Sequence, residues 1–118
     1  MSALNPTGIP TVWAVNQNGF DASLRIDSVD NSGQVRGSIE DSNGNLMLQT
    51  ASWDEQTRRL MFKRSLPNGE NQTFTGYLFG GQDTAGHSYA IAGTFRADRF
   101  ESTPDFGWYA LGDDVISP

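Results

Sequence analysis

Seven clusters of turn-forming residues divide this chain into short segments, and none of those segments has a helical pattern. The clusters are Asn18-Gly19, Asp30 to Gly33, Asn43-Gly44, Asp54 to Thr57, Pro67 to Gly69, Gly80 to Gly86 and Asp98 to Asp105. They recur roughly every 8 to 15 residues, the spacing of an all-β meander. Asn-Gly and Pro-Asn-Gly are hairpin chemistry because these residues accept positive φ. Seven breaks leave eight strands.

Between the breaks, side chains alternate with a period of two, as a half-buried strand requires. Phe20, Ala22, Leu24 and Ile26 oppose Ser23, Arg25 and Asp27, and Val35, Gly37 and Ile39 oppose Gln34, Arg36 and Ser38. Leu60 and Phe62 form a third such face. Further along, Phe74 with Gly76 and Leu78, Tyr89 with Ile91, Gly93 and Phe95, and Phe106 with Trp108 and Ala110 form three more. A glycine among bulky neighbours, as in "QTFTGYLFGG", marks a bend or a close approach in a curved sheet. The expected fold is therefore all-β, an eight-stranded antiparallel up-and-down meander that removes its edges by closing into a barrel. An open two-sheet sandwich is the alternative. Residues 1–118 are read as one domain, with 1–10 an N-terminal extension and 112–118 a C-terminal tail.

Apolar residues make up 36% of the chain, low for a folded domain, but seven Phe, three Tyr and three Trp supply the large groups that disordered chains lack. A net charge of −6 with no basic cluster disfavours nucleic acid and anionic membrane as partners. The absence of cysteine excludes disulfides, thiolate nucleophiles and cysteine-type zinc sites. "MSALNPTGIP" has neither a positive n-region nor an apolar h-region, which leaves a cytoplasmic protein and a mature secreted form both open.

The stretch "WAVNQNGFDASLRIDSVDNSGQVRGSIEDSNGN" resembles the first three strands of the avidin and streptavidin family: a Trp, a following Asn, a turn Gly, an alternating strand, then Gly-x-Val-x-Gly. "FTGYLFGG" resembles that family's sixth strand and "IAGTF" its seventh. The resemblance implies a calycin-like barrel with a small-molecule pocket. Asn16 matches the Asn that holds the biotin ureido group, allowing one extra residue after Trp13, and Asp114 stands for the terminal Asp. Trp108 resembles the Trp that subunits lend to a neighbour's pocket, which implies a homo-oligomer. Phe20 falls where the family has a small hydroxyl residue, Ile39 where it has Tyr, and Phe74 and Phe95 where it has Trp. A buried polar group left unpaired costs about 1–3 kcal/mol, so these changes predict loss of tight biotin binding.

The candidate ligand-binding residues are thus Asn16, Phe20, Leu24, Ile39, Phe74, Phe95, Trp108 and Asp114, an apolar wall with one polar anchor at Asn16. Arg64 continues the face of Leu60 and Phe62, so it is either a rim residue or an inward anchor for an anion. The cost of burying an unpaired charge favours the rim. Trp13 reads as a barrel plug. Trp53 reads either as an exposed interface residue or as a cap on a barrel end. His87, the single histidine, follows a glycine-rich loop and reads as solvated. The pairs Glu40-Asp41, Asp54-Glu55 and Asp113-Asp114 cannot converge on one ion from a regular strand, because adjacent side chains face opposite ways. "DSNGN" reads as a hairpin rather than a calcium loop. No phosphate loop, nucleophile elbow or dinucleotide fingerprint is present, and no cofactor is expected.

Three functions remain. The first is a non-enzymatic small-ligand-binding barrel for an apolar ligand. The second is a structural or protein-interaction module whose interior is filled by those same side chains and whose outer aromatics, Tyr77, Phe79 and Tyr109, make the contact. The third is a small-barrel enzyme such as a cyclase, in which a shaped cavity folds a reactive substrate.

Overall fold

The computed structural model describes residues 3–5, 8–80, 89–98 and 104–112. His87 and Asp114 lie outside them. Nine strands follow one another: β1 (Thr11–Gln17), β2 (Phe20–Val29), β3 (Val35–Asp41), β4 (Gly44–Met47), β5 (Gln49–Asp54), β6 (Arg59–Ser65), β7 (Asn71–Gly80), β8 (Tyr89–Ala97) and β9 (Phe106–Gly112). Among the described residues there is no helix. All strand pairs are antiparallel, in the order β4-β3-β2-β1-β9-β8-β7-β6-β5, so β1 and β9 join the two ends of the chain in one up-and-down sheet nearly closed into a barrel.

The count of nine rather than eight comes from one irregular strand. Residues 44–54 form the expected fourth strand, but it is broken at Leu48. Leu46 and Leu48 pack against the core from even positions, whereas Ala51 and Trp53 do so from odd ones. Strict alternation forbids that unless one extra residue is inserted. The insertion lies at Thr50, whose φ of 47° places it in the left-handed region, and the β5–β6 register shifts between Gln49 and Ser52. The first half of the strand pairs with β3 and the second with β6. A Gln34–Ser52 bridge and the 2.7 Å bond from Trp53 N–H to Gly33 O carry the wall from β3 across to β5.

The interior is packed with side chains from the inward positions. Trp13, Leu24, Ile26, Ile39, Leu60, Phe62, Phe74 and Ile91 are fully buried. Phe62, Phe74, Phe95 and Phe106 are direct partners along β6-β7-β8-β9 and form one row. Phe62 and Phe74 stack at 4.8 Å, and Phe74 and Phe95 at 4.7 Å, both close to the spacing between neighbouring strands, which sets the ring separation. Phe106 ends the row, tilted 37° to Phe95 at 5.7 Å.

Trp108 lies across this row. Its ring meets Phe62 and Phe74 edge-on, and its Nε1–H donates at 3.2 Å to both Thr75 O and Thr94 O. The flanking pair Gly76–Gly93 makes this possible, since a Cβ on Gly76 would sit 2.7 Å from Trp108 Cζ2. The gap in "QTFTGYLFGG" is therefore filled from within the same chain.

One end of the barrel is plugged. Leu4, in the segment read from sequence as an extension, is fully buried in the core. Glu55 Oε1 accepts from Ala3 N at 3.0 Å and from the Trp53 indole N–H at 2.8 Å, tying the plug to the buried Trp53. Trp53 thus caps this end of the barrel.

Candidate functional site

At the opposite end, the turns after β1 and β3 surround a concavity of about 430 Å³. Its floor is a network of four inward side chains: Gln17 from the end of β1, Asp41 from the end of β3, Arg64 from β6 and Gln72 from β7. Its walls carry Phe20, Phe95 and Phe106. A larger groove, about 630 Å³, lies at the plugged end beside the turn at Asp30 to Gly33. There Asp30 Oδ1 already accepts from Ser32 N, Ser32 Oγ and Gln34 N, so this oxygen is engaged in closing its own turn. We take the mouth as the site.

Arg64 is buried, not at the solvent rim that its charge suggested; its side chain is 3% exposed. The objection to an unpaired charge does not apply, because its Nη1 donates to Asp41 Oδ2 at 2.8 Å. Its Nε donates to Gln72 Oε1 at 2.9 Å and its Nη2 to Gln17 Oε1 at 3.4 Å. Gln17 Nε2 donates in turn to Asp41 Oδ2 at 2.6 Å, and Asn43 N donates to Asp41 Oδ1 at 2.8 Å. The guanidinium carbon stands 5.4 Å from the Phe74 ring centre, a cation–π contact that seats the network on the phenylalanine row.

Burial alone pushes the Asp41 carboxyl upward. The Arg64 hydrogen bond, the Asn43 N–H, the Gln17 amide and the Arg64 charge together outweigh it and hold the carboxyl below its usual 3.8. Asp41 is therefore a fixed anion and Arg64 its matched cation. Chemically, the floor orients donors and keeps its shape. Among the described residues, no group of three or more His, Cys, Asp or Glu is placed to hold a metal ion.

The structure separates the sequence-derived site residues. Leu24, Ile39 and Phe74 are fully buried in the packed interior, and Trp108 is buried beside them within its own barrel. Phe95 sits at the boundary, and Phe20, 70% exposed, stands on the mouth's edge. Asn16 falls on the outward face of β1, between inward Val15 and Gln17, and its Oδ1 accepts from Gly19 N at 2.8 Å to close the turn. Gln17 and Gln72 were not singled out from the sequence, and Asp41 was considered only in the Glu40-Asp41 pair and the "DSNGN" turn. The signal was present in the alternation itself: Gln17 continues the inward series of Trp13 and Val15, Asp41 that of Gly37 and Ile39, and Gln72 that of Phe74 and Gly76.

In comparisons with known proteins, no protein-family model, no curated protein and no solved structure matches the chain.

Proposed function

We propose that this protein is a non-enzymatic binding barrel that holds a small, flat molecule in its mouth rather than in its interior. The observation that carries the reading is the asymmetry of the barrel: one end is plugged by Leu4 and the middle is filled by the phenylalanine row, while the other end opens over a buried polar floor flanked by aromatic rings. Sites of this kind, apolar walls with a few fixed polar groups, are what small-molecule recognition uses. Asp41, engaged by Arg64, Gln17 and Asn43, is suited to holding the floor rather than moving protons. The up-and-down topology is what the avidin and streptavidin family would share with this chain, whereas Trp108, which that resemblance would send to a neighbour's pocket, is buried within its own barrel. The test is a thermal melt against biotin and a panel of small planar compounds, since a ligand selective for the folded state raises the midpoint. The reading expects no shift with biotin and a shift with at least one planar compound that is lost in Phe20→Ala and kept in Phe79→Ala. Failure of every compound overturns it.

A second reading, self-association, is favoured by the outer face. Tyr77, Ala92 and Tyr109 form one outward row across β7-β8-β9, and Phe79, Ala90 and Leu111 the next. Tyr77, Phe79 and Tyr109 are exposed. The two uncharged rows make an alanine furrow on β8 between aromatic or aliphatic ridges on β7 and β9. Such a surface is complementary to a two-fold copy of itself, ridge into furrow. Sedimentation of the protein and of Phe79→Lys tests it: a dimer that the substitution dissolves supports the reading, and a monomer in both overturns it.

A further inference from the structure

The orientation of both glutamine amides at the mouth is dictated by their partners. Arginine has only donors and an ionised carboxylate only acceptors. Gln72 must therefore turn its oxygen toward Arg64 Nε, and Gln17 must turn its nitrogen toward Asp41 and its oxygen toward Arg64. Every acceptor atom of the floor already receives a donor inside the network. The Asp41 side chain is 4% exposed, its Oδ2 accepts two donors, and its Oδ1 accepts the Asn43 N–H. What remains is donor capacity, chiefly the Gln72 amide nitrogen, which has no partner among the described residues and belongs to a half-buried residue, unlike buried Gln17 and Arg64. Arg64 adds no net positive charge, since Asp41 matches it, and Asp21 stands at the edge of the mouth in a chain of net charge −6.

We infer that the mouth selects planar ligands whose polar end is a neutral hydrogen-bond acceptor, a carbonyl oxygen of a ketone, amide or lactone, received by the Gln72 amide while the ring packs against Phe95 and Phe106. This rests on the mouth being the binding site. A carboxylate meets a floor already neutralised and an acidic rim. An ammonium or amine donor meets only acceptor atoms that already receive a donor, and a buried donor left poorly paired weakens binding.

The test uses four ligands on one naphthalene frame: 2-acetylnaphthalene, 2-isopropenylnaphthalene, 2-naphthoate and 2-naphthylamine, titrated against the full chain by calorimetry. The ketone is expected to bind about tenfold or more tighter than the isopropenyl compound, with naphthoate and naphthylamine at or below the latter. Gln72→Leu should erase the ketone's advantage over the isopropenyl compound. Because that change also strips Arg64 Nε of its acceptor, Gln72→Glu provides the second variant: it keeps an oxygen for Arg64, replaces the donor with an acceptor, and should favour the amine. Equal binding of all four, or tightest binding of naphthoate, leaves the mouth as the site but overturns the selection. Binding of none overturns both.

Discussion

The Trp108 indole occupies the space that Gly76 leaves empty, with Cζ2 placed 2.7 Å and Ile91 Cγ2 2.9 Å from where a Gly76 Cβ would stand. One residue is small because the other is large. Gly76→Ala should therefore force the ring off its seat and cost about 1–3 kcal/mol, the usual range for overpacking a dense core. Urea unfolding measures the loss. In Gly76→Ala with Trp108→Phe the two costs should add to less than their sum, because the smaller ring vacates the contested space.

Two other glycines separate backbone approach from mere permissiveness. A Cβ on Gly93 would collide with the Thr75 carbonyl oxygen, which belongs to the wall and cannot swing aside, whereas a Cβ on Gly107 meets nothing within 4 Å. Gly93→Ala should be severely destabilising, to the point of little soluble protein. Gly107→Ala should be neutral or more stable by up to about 1 kcal/mol, through a less flexible unfolded chain. Expression yield and urea midpoints distinguish the two.

Breaking the floor from one side leaves a charge without its counterpart. Arg64→Met should cost about 3–5 kcal/mol, because Asp41 stays buried and loses its cation. Arg64→Met with Asp41→Asn should lose clearly less than the two single changes together, again read from urea midpoints.

Acid should act at the same place. A carboxyl whose folded value is depressed contributes stability that is fully present above its unfolded value, near 4, and is lost as pH falls through the folded value. Asp41 is such a group, so the protein should lose stability as pH drops below about 4, and Asp41→Asn should flatten part of that fall. Asp30 is held low as well, by the Ser32 hydroxyl and then the Gln34 N–H. The difference between parent and Asp41→Asn, rather than the whole curve, therefore isolates the mouth.

Leu4→Ala should cost about 2–5 kcal/mol, as for other fully buried leucines. Glu55→Gln should cost less, because it keeps the side-chain oxygen that receives Ala3 N. Thermal melts rank the two.

The meander was legible because turn chemistry and alternation are local signals. Leu24, Ile39, Phe62, Phe74 and Ile91 were placed on the right faces by counting twos. The insertion at Thr50 was not legible, since nothing in "LQTASW" marks a threonine that will adopt positive φ, and the parity change at Leu48 and Ala51 becomes visible only when both face one core. The mouth was missed for a different reason. Arg64 and Asp41 stand 23 residues apart, and the burial of either is justified only by the other, so each taken alone belongs at the surface. Asn16 and Gln17 show the reverse error: the residue chosen for its hydrogen-bonding side chain closes a turn, while its neighbour, one step along the pleat, faces inward. The phenylalanine row lay between these cases, because its faces were visible but the register that aligns Phe62, Phe74, Phe95 and Phe106 was not.

The strand β1 enters the barrel, and β9 leaves it, at the end that Leu4 closes. A tether on either side of the β1–β9 pair would therefore hold the protein by its base, with the mouth turned to the solution. Immobilised or displayed this way, every copy would present the same opening outward, so the orientation of the chain on a support is fixed by its topology without any engineering of the site.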